Sequence, residues 1–239
     1  MPDPNPLPLA LYWAQFHTRR NLSKPAFRRW AGACLIGFIG LRLLARQRGG
    51  DTGELIVLWI APLLGLFFGS GVLREEIEDQ TLTYSFTRPL GRGWIYAARA
   101  VSAMGPALVL TLPLVVLGMG DLDGVSSLRM LLAATLSVLA YTGVFALLGV
   151  LMKWSTWVGL GWLLFWEGMG SMAPGFIGRL TLQTHLRGIS GRPPYGHLLS
   201  SLWTAPPVLV SIVVLLLVAA ASLALGGYIV KRREFALEK

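Results

Sequence analysis

Charge is scarce in this chain: only 14% of its 239 residues are Asp, Glu, Lys or Arg, while 54% are hydrophobic. A soluble domain carries roughly 25% charged residues, so there is too little polar surface here to cover the chain in water. A single cysteine, Cys34, excludes an intrachain disulfide and leaves the redox compartment unread. The lysines are Lys24, Lys153, Lys231 and Lys239, none in a glycine context, so there is no Gly-x-x-x-x-Gly-Lys-Ser/Thr phosphate loop. Also missing are a His-Glu-x-x-His zinc helix, a Gly-x-Ser-x-Gly elbow and any cysteine pair for a metal. An enzymatic reading therefore lacks both a nucleophile and a ligand set, and no catalytic residue, metal or cofactor is expected in this chain. The start, Met1-Pro-Asp-Pro-Asn-Pro-Leu-Pro, has neither the basic lead nor the apolar core of a signal peptide and reads as a short disordered tail.

What the chain has is long uncharged runs. Leu55–Leu73, Ala100–Gly120, Met130–Met152 and Val208–Val230 contain no Asp, Glu, Lys or Arg. At about 1.5 Å per residue, roughly 20 apolar residues cross the hydrocarbon core as a helix. Two further runs carry one charge each, Arg42 in the first and Glu167 in the second. The expected fold is an all-α membrane protein, because helices satisfy their own backbone in lipid. It is one transmembrane domain over 1–239, with six spans at about 30–46, 55–73, 96–119, 130–152, 155–173 and 207–230.

Positive charge marks the cytoplasmic side. With the N-terminus inside, fourteen Lys and Arg fall in inside segments and seven outside. Both termini are therefore placed in the cytoplasm and the protein in the cell (inner) membrane. The net charge of +9 follows from this topology better than from nucleic-acid binding. Residues 7–21 place Leu9, Tyr12, Trp13 and Phe16 on one helical face, as in an interfacial helix on the inner leaflet. Asp121–Arg129 reads as an outer loop in which Asp121-Leu-Asp123-Gly is a turn, since the other ligand positions of a calcium loop are absent. Ser155 or Thr156 is placed to cap the fifth span. Gly69-Ser70-Gly71 permits close helix packing. Residues 174–206 are long, apolar in parts and broken by Gly and Pro, as expected of short helices dipping into the outer leaflet. The two histidines of this region, His185 and His197, read as solvated rather than as metal ligands.

Two features stand out chemically. One is the segment 74–95, whose start is dense in acids: Glu75, Glu76, Glu78 and Asp79, followed by Thr81, and later Arg88, Pro89 and Arg92. Four acids within six residues, directly after an uncharged span, suit contact with a partner on one face of the membrane. The other is the pair of intramembrane charges, Arg42 and Glu167. Each lies about 20 Å along its span from the nearest inside base, so the two are expected at matched depth, facing the protein interior or a substrate pathway, where they can offset each other's cost; the alternative is that each snorkels separately to the outer headgroups.

At the acidic segment the chain resembles the membrane subunits of ABC-2 type transporters. The resemblance rests on Glu75-Glu76-Ile77-Glu78-Asp79-Gln80-Thr81-Leu82, on Thr87-Arg88-Pro89-Leu90-Gly91-Arg92, on Trp166-Glu167 late in span five, and on the order of spans and loops. It implies a permease subunit that moves a hydrophobic or amphipathic substrate outward. A service in cofactor or metal-centre maturation is a variant of the same reading. It further implies a coupling helix within 74–95, a second permease chain in a homodimer or heterodimer, the homodimer preferred, and a separate ATPase subunit that binds ATP and Mg. Spans one, two and five would line the path. The proline-rich start and Arg42 depart from the family's pattern and leave the substrate open. A non-transporting scaffold or membrane enzyme is the alternative.

Overall fold

The computed structural model describes residues 6–23, 25–48, 52–72, 91–120, 123–173, 175–192 and 204–232. Among these residues there are helices and no strand. In chain order, α1 is Pro6–Ser23 and α2 is Pro25–Arg48. Helix α3, Thr52–Ser70, widens into a π-helical turn at Ile56–Ile60. Helices α4 and α5 are Arg92–Gly118 and Gly124–Leu151. Helix α6 covers 155–169, α-helical over Ser155–Gly161 and π-helical over Trp162–Met169. Two short helices follow, α7 at Phe176–Arg179 and α8 at Leu182–Ser190, and then α9 at Val208–Arg232.

Four of these helices, α3, α4, α5 and α9, are long and apolar enough to cross a membrane. Helix α2 has the length, but it carries Arg28, Arg29, Arg42, Arg46 and Arg48. The regular part of α6 is short, and its second half is the π segment.

Helix α5 is the hub. It packs on α3, α4, α6, α8 and α9, and its Tyr141 and Phe145 are fully buried, with Trp162 of α6 edge-on to both rings. The contact with α3 is backbone-close. A Cβ on Gly69 would lie 2.8 Å from the Thr142 carbonyl, and one on Gly149 2.7 Å from the Ser70 carbonyl. Small residues therefore set the α3–α5 distance, as in helix pairs that associate by packing rather than by a hydrophobic drive. Helix α9 is the opposite case: Leu209, Leu216 and Leu217 are exposed, a face suited to lipid.

Three local expectations are corrected. The loop before α5 is shorter than 121–129, because the helix starts at Gly124 and takes Arg129 into its second turn. Asp123 precedes it in extended conformation, and the Ser126 hydroxyl holds its carboxyl below the usual range. Ser155 and Thr156 do not cap α6. Ser155 is buried as its first helical residue, and the Thr156 hydroxyl bonds Ser70 Oγ at 3.1 Å. In α1, Trp13 is half-buried, and the helix rests on α4 through Ala10, Ala14 and Ala98, leaving Leu9, Tyr12 and Phe16 exposed.

Candidate functional site

Helix α8 is short because both ends are written locally. The Thr181 hydroxyl accepts from the Thr184 amide at the start. At the other end Gly191 takes φ 73°, and its N–H returns to the Arg187 carbonyl, the glycine stop that ends many helices. Between these caps, residues 182–189 are all buried. A polar, charged helix is thus enclosed in an apolar molecule, and each polar side chain needs a partner.

Glu167 supplies the first. It is fully buried on the π segment of α6. Its Oε1 accepts from the Leu182 amide at 3.1 Å, and its Oε2 accepts from the Gln183 amide at 2.9 Å and from the Tyr141 hydroxyl at 2.9 Å. The carboxylate thus sits at the N-terminus of α8, where free amides and the helix dipole favour negative charge. Gln183 supplies the next link. Its Nε2 donates to the Leu58 carbonyl at 3.1 Å, and its Oε1 accepts from Ser171 Oγ at 3.2 Å. The π turn of α3 offers a second carbonyl, Val57, to Ser137 Oγ at 3.0 Å. Both widened turns border α8, and such turns recur at functional sites.

One turn on from Gln183, Arg187 lies with its Nε 3.8 Å from Glu54 Oε1, both side chains almost wholly buried. His185 faces α9. Its Nε2 is 3.0 Å from the Arg179 carbonyl and its Nδ1 is 3.3 Å from Ser211 Oγ. The neutral ring protonated at Nε2 satisfies both, donating to the carbonyl and accepting from the hydroxyl. Burial holds this imidazole below its ordinary pKa, against the smaller opposing pull of the Arg179 carbonyl. His185 is therefore not solvated, which corrects the sequence reading; His197 lies outside the described residues.

Arg42 and Glu167 do not meet. Arg42 is exposed; its Nη1 lies 3.5 Å from the Leu117 carbonyl and its guanidinium 5.9 Å from the Phe38 ring centroid. Leu117 is in the last turn of α4, where carbonyls lack helical partners. Each ion answers a helix end, the anion an N-terminus and the cation a C-terminus, and neither answers the other. Of the expected partner contacts, Arg92 is exposed in the first turn of α4. Glu75, Glu76, Glu78, Asp79, Thr81, Arg88 and Pro89 lie outside the described residues.

The sequence reading missed Tyr141, Gln183, Arg187 and Glu54. The one available signal was Thr181 and Gly191 bracketing nine residues in which Gln183 and Arg187 share a face. No group of three or more His, Cys, Asp or Glu side chains is gathered among the described residues. What the network does chemically is fix one short helix between α3, α5, α6 and α9. No protein family, characterised protein or solved structure matches this chain.

Proposed function

We propose that the chain is the membrane-spanning permease subunit of an ABC transporter of the ABC-2 type, moving a hydrophobic or amphipathic substrate outward with ATP hydrolysed on a separate subunit. On this reading α2, α3, α4, α5, α6 and α9 are the six spans, and α7 and α8 dip into the outer leaflet. Both termini are cytoplasmic, and a second copy of the chain completes the path.

The observation that carries the reading is the seating of α8. Tyr141 is at the centre of the uncharged run Met130–Met152, so it lies on the order of 16 Å from either end. Its hydroxyl reaches Glu167, which supports a carboxylate, and with it a start of α8, near mid-depth. A polar helix held there by Glu167, Gln183 and Arg187 closes the outer half of the bundle. Its polar contacts are directional, so a tilt of the surrounding helices would strain them together. On the opposite side, the acids of 75–79 suit a docking partner, which supplies ATP and Mg.

The test is purification of the tagged chain in mild detergent from its native cells, with identification of what copurifies and assay of ATP hydrolysis. A phosphate-loop ATPase in the complex, with no turnover by the chain alone, is expected. Robust hydrolysis by the pure chain, or a complex without any ATPase, sinks the reading.

A further inference from the structure

From Pro4 to Gly50 the chain has no acidic residue but eight basic ones: Arg19, Arg20, Lys24, Arg28, Arg29, Arg42, Arg46 and Arg48. Four of them, Arg19, Arg20, Arg28 and Arg29, flank the junction between α1 and α2. Arg19, Arg20, Arg28 and Arg29 are exposed, and the one buried ion pair of the described residues, Arg187–Glu54, is elsewhere. Arg28 and Arg29 are close to the start of α2, whose first turn holds no acid. Cations there oppose the helix dipole, and an anion from outside would offset them.

Helix α1 adds the apolar half of the surface. It is pinned to α4 by small residues, Ala10 and Ala14 on Ala98, and by the Thr18 hydroxyl, 3.4 Å from the Ser102 carbonyl. The flank turned away holds Leu9, Tyr12 (65% exposed) and Phe16 (51%). At helical spacing this stripe runs on into Arg19 and Arg20. One continuous face is therefore apolar and aromatic along its length and basic at its end.

We propose that the junction between α1 and α2 is a docking surface for anionic phospholipids: Arg19, Arg20, Arg28 and Arg29 hold the headgroup phosphates while Leu9, Tyr12 and Phe16 lie against the acyl chains. A polybasic segment beside a membrane is attracted by an anionic surface, each base adding to the pull, and an amphipathic helix adds its buried apolar area. The inference needs these residues at a membrane surface; it does not need the transport reading, and loss of the ATPase partnership leaves it intact.

The test is lipid titration of the full, delipidated chain in detergent, read by native mass spectrometry with phosphatidylglycerol against phosphatidylcholine. Tenfold or stronger retention of the anionic lipid is expected. Arg19→Gln, Arg20→Gln, Arg28→Gln and Arg29→Gln together should bring retention down to the phosphatidylcholine level. The four Arg→Lys replacements should keep the preference, and Arg179→Gln, in α7, should leave it unchanged. Adding inorganic phosphate at equal concentration should not displace the lipid. Equal retention of both lipids overturns the proposal, as does an equal loss from Arg179→Gln or displacement by free phosphate. If the Gln variant keeps its preference but loses thermal stability, the guanidiniums answer the chain's own acids at 75–79, and the proposal fails.

Discussion

Glu167 accepts three hydrogen bonds, two of them from the first amides of α8. Hydrogen bonds to a charged group are worth about 1.5–3 kcal/mol each, and leaving buried donors unmet costs about as much. Tyr141→Phe removes one donor and leaves both amides satisfied, so a loss of about 1.5 kcal/mol is expected. Glu167→Gln is worse despite its shape, because it turns an N–H₂ toward groups that themselves donate; about 2–3 kcal/mol should go. Thermal unfolding in detergent checks the order, and a Gln variant more stable than the Phe variant would contradict the capping role. His185 gives a pH signature. Its folded pKa is held down by burial, so the unfolded chain binds a proton first as pH falls. The stability from the neutral ring is complete above its unfolded value of about 6.5 and drains away as pH falls below it. The unfolding midpoint should therefore drop between pH 7.5 and pH 5.5, and His185→Gln should flatten that part of the profile.

At the scale of helices, glycines of opposite kinds make opposite predictions. Gly69 and Gly149 sit where α3 and α5 touch backbone to backbone, whereas a Cβ on Gly37 of α2 meets nothing within 4 Å. Gly69→Ala or Gly149→Ala forces the helices apart and should cost about 1–3 kcal/mol. Gly37→Ala gains helix propensity with no clash and should stabilise by up to about 1 kcal/mol. Unfolding midpoints of the three variants compare the two effects directly. The long helices were readable because uncharged runs such as Met130–Met152 announce themselves by length, and Gly69-Ser70-Gly71 was readable because small residues in such a run have few other uses. The site was readable only in its loudest member. Glu167 inside an apolar run must find a partner, but the letters that remain suggest another charge, Arg42. Two of its three partners are backbone amides of a helix start, which carry no letter of their own, and the third is Tyr141, one hydroxyl inside an uncharged run. The same blindness hid the Leu117 carbonyl from Arg42. It also hid the two π segments, the first of which offers its carbonyls at Val57 and Leu58 through hydrogen-bond register and not composition.

For the whole molecule, the proposed function joins two distant ends: the outer half, closed by α8, and the acidic segment 75–79 on the cytoplasmic side. In sealed right-side-out cells, cleavable tags at both termini should be protected from added protease, and a tag cut at either end would overturn the assigned topology. Coupling is tested at the acids. Charges at a protein interface set encounter, register and fit more than raw affinity. Reversing Glu75, Glu76 and Glu78 to Lys changes the local charge by six units without touching an uncharged span, so membrane insertion should be unaffected. The tenfold factor that corresponds to about 1.4 kcal/mol is a modest demand on three reversed charges, so ATPase association should weaken by at least that much. Any ATP hydrolysis that remains in the complex should be uncoupled from transport. Because the partners of Glu167 are Tyr141, Leu182 and Gln183 and none of these acids, the triple variant should keep the wild-type unfolding midpoint and its pH profile. An unchanged complex with wild-type stimulation of hydrolysis would move the docking surface elsewhere, while a collapsed midpoint would assign the acids to holding this chain together.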